Sequence, residues 1–113
     1  MWNSLTELVQ LDRSMQASAE RTQVFFKHST RCSISRVALS RFDREPAIGI
    51  PAEFHVLDLL QFRPISQQLT ERLGITHESP QLLIVKNGKC VYHANHLDIE
   101  PSEVYATLQA LGN

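Results

Sequence analysis

The sequence has only two cysteines, Cys32 and Cys90, only four glycines, and no long apolar run. Two cysteines are too few for a disulfide scaffold, and they form no Cys-x-x-Cys pair. The five histidines (His28, His55, His77, His93 and His96) show no spacing that matches a helical metal pair or a zinc finger, so no structural metal is expected. An excess of charge of one sign is also missing. Eleven Lys and Arg stand against 12 Asp and Glu, a net charge of −1, which gives no electrostatic footprint for a nucleic-acid backbone or an anionic membrane. No stretch approaches the roughly 20 apolar residues of a membrane span, and Met1 to Thr6 carry no basic segment leading into an apolar one. The expectation is a cytoplasmic protein with neither nucleic acid nor membrane as partner.

What is present fits one ordinary domain over residues 1–113, with 42% hydrophobic residues, enough for one core. No repeat, low-complexity tract or linker divides it. Leu5, Leu8, Leu11 and Met15 recur at three- and four-residue intervals and predict a first helix ending near Ala19. Thr22 to Lys27 is short, aromatic and β-branched, and leads into the polar run His28 to Arg31, which predicts a buried strand entering a loop. From Ser33 to about Glu45, Ile34, Val37, Ala38 and Phe42 fall on one helical face, and Pro46 ends the pattern.

Phe54 to Leu59 predicts a second strand. Ile65, Leu69 and Leu73, with Gly74 beyond, predict a third helix and its stop. Gln81 to Lys86, the pair Asn87-Gly88 and Cys90 to His93 predict a hairpin, because Asn-Gly supplies the positive φ angles of a type I′ turn. Pro101 opens a last helix carrying Val104, Tyr105, Leu108 and Leu111. Parallel strands need crossover helices whereas the terminal hairpin is antiparallel. The fold class is therefore α/β, a mixed central sheet with helices on both faces, in the thioredoxin-like order.

Cys32 stands where a strand gives way to a helix. Unpaired N–H groups and the positive end of the helix dipole stabilise an anion there, and a thiolate is the nucleophile of thiol–disulfide exchange. Arg31 and Lys27 are expected to add positive charge. Three residues on, Ser35 completes a Cys-x-x-Ser motif, Cys32-Ser33-Ile34-Ser35. A serine hydroxyl can donate a hydrogen bond to the Cys32 thiolate but cannot displace a mixed disulfide, which leaves a monothiol mechanism. His28 reads as a strand-end or loop histidine more than as a catalytic base.

Two sets of residues carry a resemblance. Leu73-Gly-Ile75, Ser79-Pro80-Gln-Leu82 and Lys86-Asn87-Gly88 resemble the second half of thioredoxins. Phe26-Lys-His-Ser-Thr-Arg-Cys-Ser-Ile-Ser35, with Arg63-Pro-Ile-Ser66 and His77-Glu-Ser-Pro-Gln81, resembles the monothiol bacilliredoxins over nearly the whole chain. The resemblance implies that Cys32 is the nucleophile and that Pro80 is a cis-proline facing it, with Ser79 beside it. Thr30, Arg31 and Ser33 then join the substrate-binding groove. It also implies a small thiol, bacillithiol, as co-substrate with no tightly bound cofactor. The partners it implies are proteins carrying mixed disulfides and a recycling reductase. The chain departs from the family at Ser33, where a proline usually stands. It departs further from dithiol thioredoxins, lacking their second active-site cysteine and placing Phe26 at their buried acidic position.

With Pro80 beside Cys32, the β path out to Asn87 and back to Cys90 leaves the two thiols roughly 13 Å apart. Disulfide partners have Cα atoms within about 7 Å, so Cys90 reads as a strand residue. The leading functional expectation is a monothiol oxidoreductase. The rival is a non-enzymatic thioredoxin-like module that binds peptide or senses thiols.

Overall fold

The computed structural model describes residues 1–112. Along the chain run β1 (Trp2–Ser4), α1 (Leu8–Ala17), β2 (Thr22–His28), α2 (Ser33–Arg44), β3 (Ala52–Asp58), α3 (Arg63–Leu73), β4 (Gln81–Lys86), β5 (Lys89–Asn95), a 3-10 turn (His96–Asp98) and α4 (Pro101–Leu111). The strands form one mixed sheet in the order β1-β3-β2-β4-β5. β1 and β2 flank β3 in parallel, whereas β4 runs antiparallel to both β2 and β5.

Strand alternation builds a core on each face. Val24, Phe26, Leu82 and Ile84 point one way and pack with Ala38 and Phe42 of α2 and Val104 and Leu108 of α4. Phe25, Leu83 and Val85 point the other way and pack with Leu11 of α1 and Ile65 and Leu69 of α3. Strands covered on both faces read as continuous apolar runs, which is why Val24-Phe25-Phe26 and Leu82 to Val85 show no alternation. Each such side chain contributes about 1.5–3 kcal/mol on burial.

Three local signals act as the sequence pattern predicts. Asn87 and Gly88 take φ of 53° and 73° at the hairpin tip. Gly74, at φ 67°, caps α3 in the left-handed conformation, and Pro101 stands at the start of α4. The end of α1 secures the hairpin tip: the N–H groups of Asn87 and Gly88 donate to the Ser18 carbonyl and hydroxyl at 2.9 and 2.8 Å.

Three expectations need correction. β1 has no counterpart in the sequence pattern, since three edge residues are too few to show a period. Its Trp2 nevertheless packs edge-on against Phe26, Phe42 and Phe54. The first helix stops at Ala17 rather than Ala19, with Leu8 exposed. On α2 the buried stripe is Ser35, Ala38 and Phe42, while Ile34 and Val37 are 43% and 47% exposed. A polar residue holds the place in the first turn that the apolar pattern gave to Ile34.

Candidate functional site

The parallel strands β2 and β3 end side by side at His28 and Asp58, which are register partners. Loops leaving that end of the sheet lead to the N-termini of α2 and α3, the position where α/β folds place their sites. On the other side of β2, Lys27 pairs with Gln81, so Ser79 and Pro80 enter the sheet where the Ser29–Cys32 loop leaves it. The Ser79–Pro80 peptide is cis, and the Pro80 carbonyl accepts the His96 N–H at 2.8 Å.

Cys32 is the N-cap residue of α2, extended at φ −102° and ψ 120°, half-buried, with no side-chain capping bond. Its N–H donates to the Ser29 carbonyl and its carbonyl accepts the Arg36 N–H, both at 3.1 Å, which closes the loop into the first turn. The first amides of a helix have no partner within it, so they face the region of the sulfur with their positive ends. The first turn of α2 contains no acidic residue to oppose them. Arg36 reaches back to donate to the Thr30 carbonyl at 2.9 Å.

Ser35 does not serve the sulfur. It has no exposed surface, its Oγ accepts the Ser29 N–H at 3.0 Å, and it lies 2.6 Å from Nδ1 of His28. Burial is the main cause lowering the His28 pKa, opposed by Asp58 and reinforced by Arg36. A neutral imidazole with its proton on Nε2 leaves Nδ1 free to accept the serine proton. The hydroxyl expected to donate to Cys32 is thus committed to His28. His28 proves to be part of the loop's frame, a role that its position in sequence does not signal.

Lys27 also departs from expectation. Strand alternation turns it toward α3, away from the α2 face, where it has no exposed surface and donates to Thr70 Oγ1 at 3.0 Å and contacts His77 Nδ1 at 3.3 Å. The basic residues on the loop side of α2 are instead Arg31, next to Cys32 in the chain, and Arg36, whose guanidinium bonds the Thr30 carbonyl. Arg31 and Thr30 are exposed and line a cleft of about 350 Å³ with Asp58, Leu60, Gln61 and Arg63. Ser33 is exposed, Ser79 half-buried and Pro80 buried. The Ser79 hydroxyl has no hydrogen-bond partner among the described residues.

Cys90 lies on β5 opposite Val85 and packs against the core under α1 and α3, the face away from α2. Its thiol donates to the Tyr92 carbonyl at 3.3 Å, and burial pushes its pKa up. Both cysteines are free. No helix among the described residues is long and apolar enough to cross a membrane.

The fold is shared with solved thioredoxin-fold structures. A structure described as having a thioredoxin fold superposes with a TM-score of 0.76 at 25% identity, covering 94% of this chain and 91% of that one. Thioredoxin from Trypanosoma brucei brucei gives 0.77 at 14% identity, covering 98% and 90%. Thioredoxin from Malassezia sympodialis gives 0.76 at 16%, covering 97% and 90%. These likenesses place the architecture, and the family model narrows it. The model for monothiol bacilliredoxin BrxC matches residues 3–104, a span that takes in Cys32, Ser35, Ser79 and Pro80. With a thioredoxin-like fold and that match over most of its length, the chain belongs to the monothiol bacilliredoxin BrxC family, and its role is a redox one.

Proposed function

We propose that this chain, acting as one thioredoxin-like domain, takes a low-molecular-weight thiol, bacillithiol by family, from protein mixed disulfides. The Cys32 thiolate attacks the sulfur of the small thiol; a new disulfide forms between them, the mixed disulfide breaks, and the protein thiolate leaves. A second small thiol or a partner reductase then releases the adduct from Cys32. Thr30, Arg31 and Ser33 flank the nucleophile, and Ser79 and Pro80 form the opposite wall. Ser35 acts through His28, holding the loop that carries Cys32.

The observation that carries this reading is the contrast between the two thiols. Cys32 caps α2 with a hydroxyl, not a thiol, one turn away, and Cys90 sits on the other face of the sheet. That arrangement supplies an attacking sulfur and no internal sulfur to resolve it.

The test is to mix the reduced protein with a substrate protein bearing bacillithiol and to weigh both. Bacillithiol should move to Cys32 in one-to-one amount. Equal transfer by Cys32→Ala would overturn the proposal.

A further inference from the structure

Beside α3 lies a cleft of about 470 Å³ lined by Leu59, Arg63, Ser66, Gln67, Thr70, Glu71 and His77. Behind its wall is the ammonium of Lys27, bonded to the hydroxyl of Thr70 and the ring of His77. A lysine ammonium has three donors and no acceptor, so a charged Lys27 requires His77 to present a bare Nδ1 and to carry its proton on Nε2. Thr70 in turn directs its own proton to the Ser66 carbonyl at 3.3 Å. Both partners of Lys27 are therefore neutral.

No ion pair among the described residues includes Lys27. A buried cation without a counter-ion is costly, and proteins rarely keep one without pairing it. Burial holds the Lys27 pKa down at about 8, in keeping with a charge left uncompensated inside the fold. The carboxylates of the cleft lining and of the residue after His77 are otherwise placed. Glu71 is exposed at the rim within reach of Gln68, and Glu78 pairs with His96 at 3.2 Å. Arg63, free of any ion pair among the described residues, adds a second positive charge to the lining.

We infer that this cleft binds a small carboxylate-bearing molecule, whose negative charge is the counter-ion that buried Lys27 lacks within the protein, with Arg63 as its second anchor. The hydroxyl and amide of Ser66 and Gln67 suit a ligand that also carries hydroxyl groups. Arg63 belongs as well to the smaller cleft beside Thr30 and Arg31, so the two clefts meet at this residue. The carboxylate can therefore come from the thiol exchanged at Cys32 or from a free carboxylic acid.

The experiment titrates the full chain with succinate and citrate, with uncharged succinamide as control, by calorimetry and by NMR of the lysine side-chain nitrogens. Saturable binding is expected for the acids and none for succinamide, and the Lys27 titration should move upward from about 8 as ligand is added. Arg63→Ala should weaken binding by roughly tenfold to a hundredfold, the range for losing one charge-assisted contact, and Lys27→Met by roughly tenfold, because its ammonium attracts the carboxylate through the wall without touching it. Glu71→Gln should tighten it. Exchange kinetics at Cys32 then separate the two sources. A thiol-borne carboxylate makes the added acid raise KM for the mixed disulfide without changing kcat, whereas a separate ligand leaves both unchanged. The proposal is overturned if succinamide binds as well as succinate, if Lys27→Met binds as tightly as the wild type while remaining folded, or if binding vanishes at physiological salt. None of these three binding readings depends on whether Cys32 transfers bacillithiol, so this inference and the exchange reaction fail separately.

Discussion

Ser35 Oγ lies 2.6 Å from His28 Nδ1 and accepts the Ser29 N–H at 3.0 Å, so one buried hydroxyl joins the end of β2 to the first turn of α2. Cys32 is carried on the loop between them. Replacing Ser35 with alanine leaves the buried Ser29 N–H without an acceptor and removes the serine proton from His28. The expected cost is about 1–3 kcal/mol, the usual cost of an unsatisfied buried polar group. Urea unfolding should show a lower midpoint with an unchanged slope. The alkylation rate of Cys32 should change little, because the hydroxyl is not bonded to the sulfur. A slowed Cys32 in a protein of undiminished stability would mean that the hydroxyl serves the thiolate after all.

The two cysteines should separate cleanly in reactivity. Burial raises the Cys90 pKa and its thiol donates to the Tyr92 carbonyl, whereas Cys32 caps a helix with positive amide ends around it. At neutral pH a thiol reagent should modify Cys32 well before Cys90 in the folded protein, and comparable rates in denaturant would show that the fold makes the difference. Cys90→Ser should retain exchange activity. Mass spectrometry that found a Cys32–Cys90 disulfide as the main oxidised product would contradict the placement of the two thiols on opposite faces.

Lys27 should give stability an unusual dependence on pH. Its folded pKa, about 8, lies below the ordinary 10.5, so the unfolded chain binds more protons in that interval and stability rises with pH from about 8 to 10.5. Below pH 8 both states are charged and the full penalty is present; above 10.5 both are neutral and it is gone. The difference corresponds to about 3 kcal/mol, taken at 1.36 kcal/mol per pKa unit. Cys90, Tyr92 and Tyr105 are also perturbed in the alkaline range, so the measurement is the difference from Lys27→Met, which should be the more stable protein at pH 7. Parallel curves for the two proteins between pH 8 and 10.5 would rule out a desolvated Lys27.

The strand–helix order was legible from periodicity and punctuation, because Val24-Phe25-Phe26, Asn87-Gly88, Gly74 and Pro101 each act through local rules that tertiary packing reinforces. Cys32 was legible for the same reason, standing between a strand run and a helix run. Less visible were features that depend on what a side chain meets across the fold. Ile34 and Val37 satisfy the helical period, yet the first turn of α2 turns Ser35 inward, where Ser29 and His28 receive it. Lys27 follows three apolar residues in one strand; only the sheet's alternation, which sends Phe26 toward α2 and Lys27 toward α3, reveals that it is buried away from Cys32. β1 leaves no mark in the sequence pattern because three residues show no period, and Trp2 anchors it against three phenylalanines from β2, α2 and β3.

The strongest test of the monothiol mechanism replaces Ser35 with cysteine. Once Cys32 carries a small thiol, the adduct leaves only when another thiolate attacks the Cys32 sulfur, and a serine hydroxyl is far too weakly acidic to do so. A cysteine at residue 35 stands one helical turn from Cys32, where side chains three apart are about 5–6 Å apart at Cβ, close to disulfide range. His28 Nδ1, already 2.6 Å from the hydroxyl it would replace, is placed to accept the new thiol's proton. The new sulfur should therefore attack Cys32, form a disulfide with it, and expel the small thiol as a thiolate that picks up a proton from solvent. The measurement loads wild type and Ser35→Cys with a mixed disulfide, removes free thiol, and follows adduct mass over time. The wild type should hold its adduct, and the variant should lose it while gaining an internal disulfide. If the wild type sheds its adduct as fast as the variant, a resolving group exists within the chain and the monothiol mechanism is wrong.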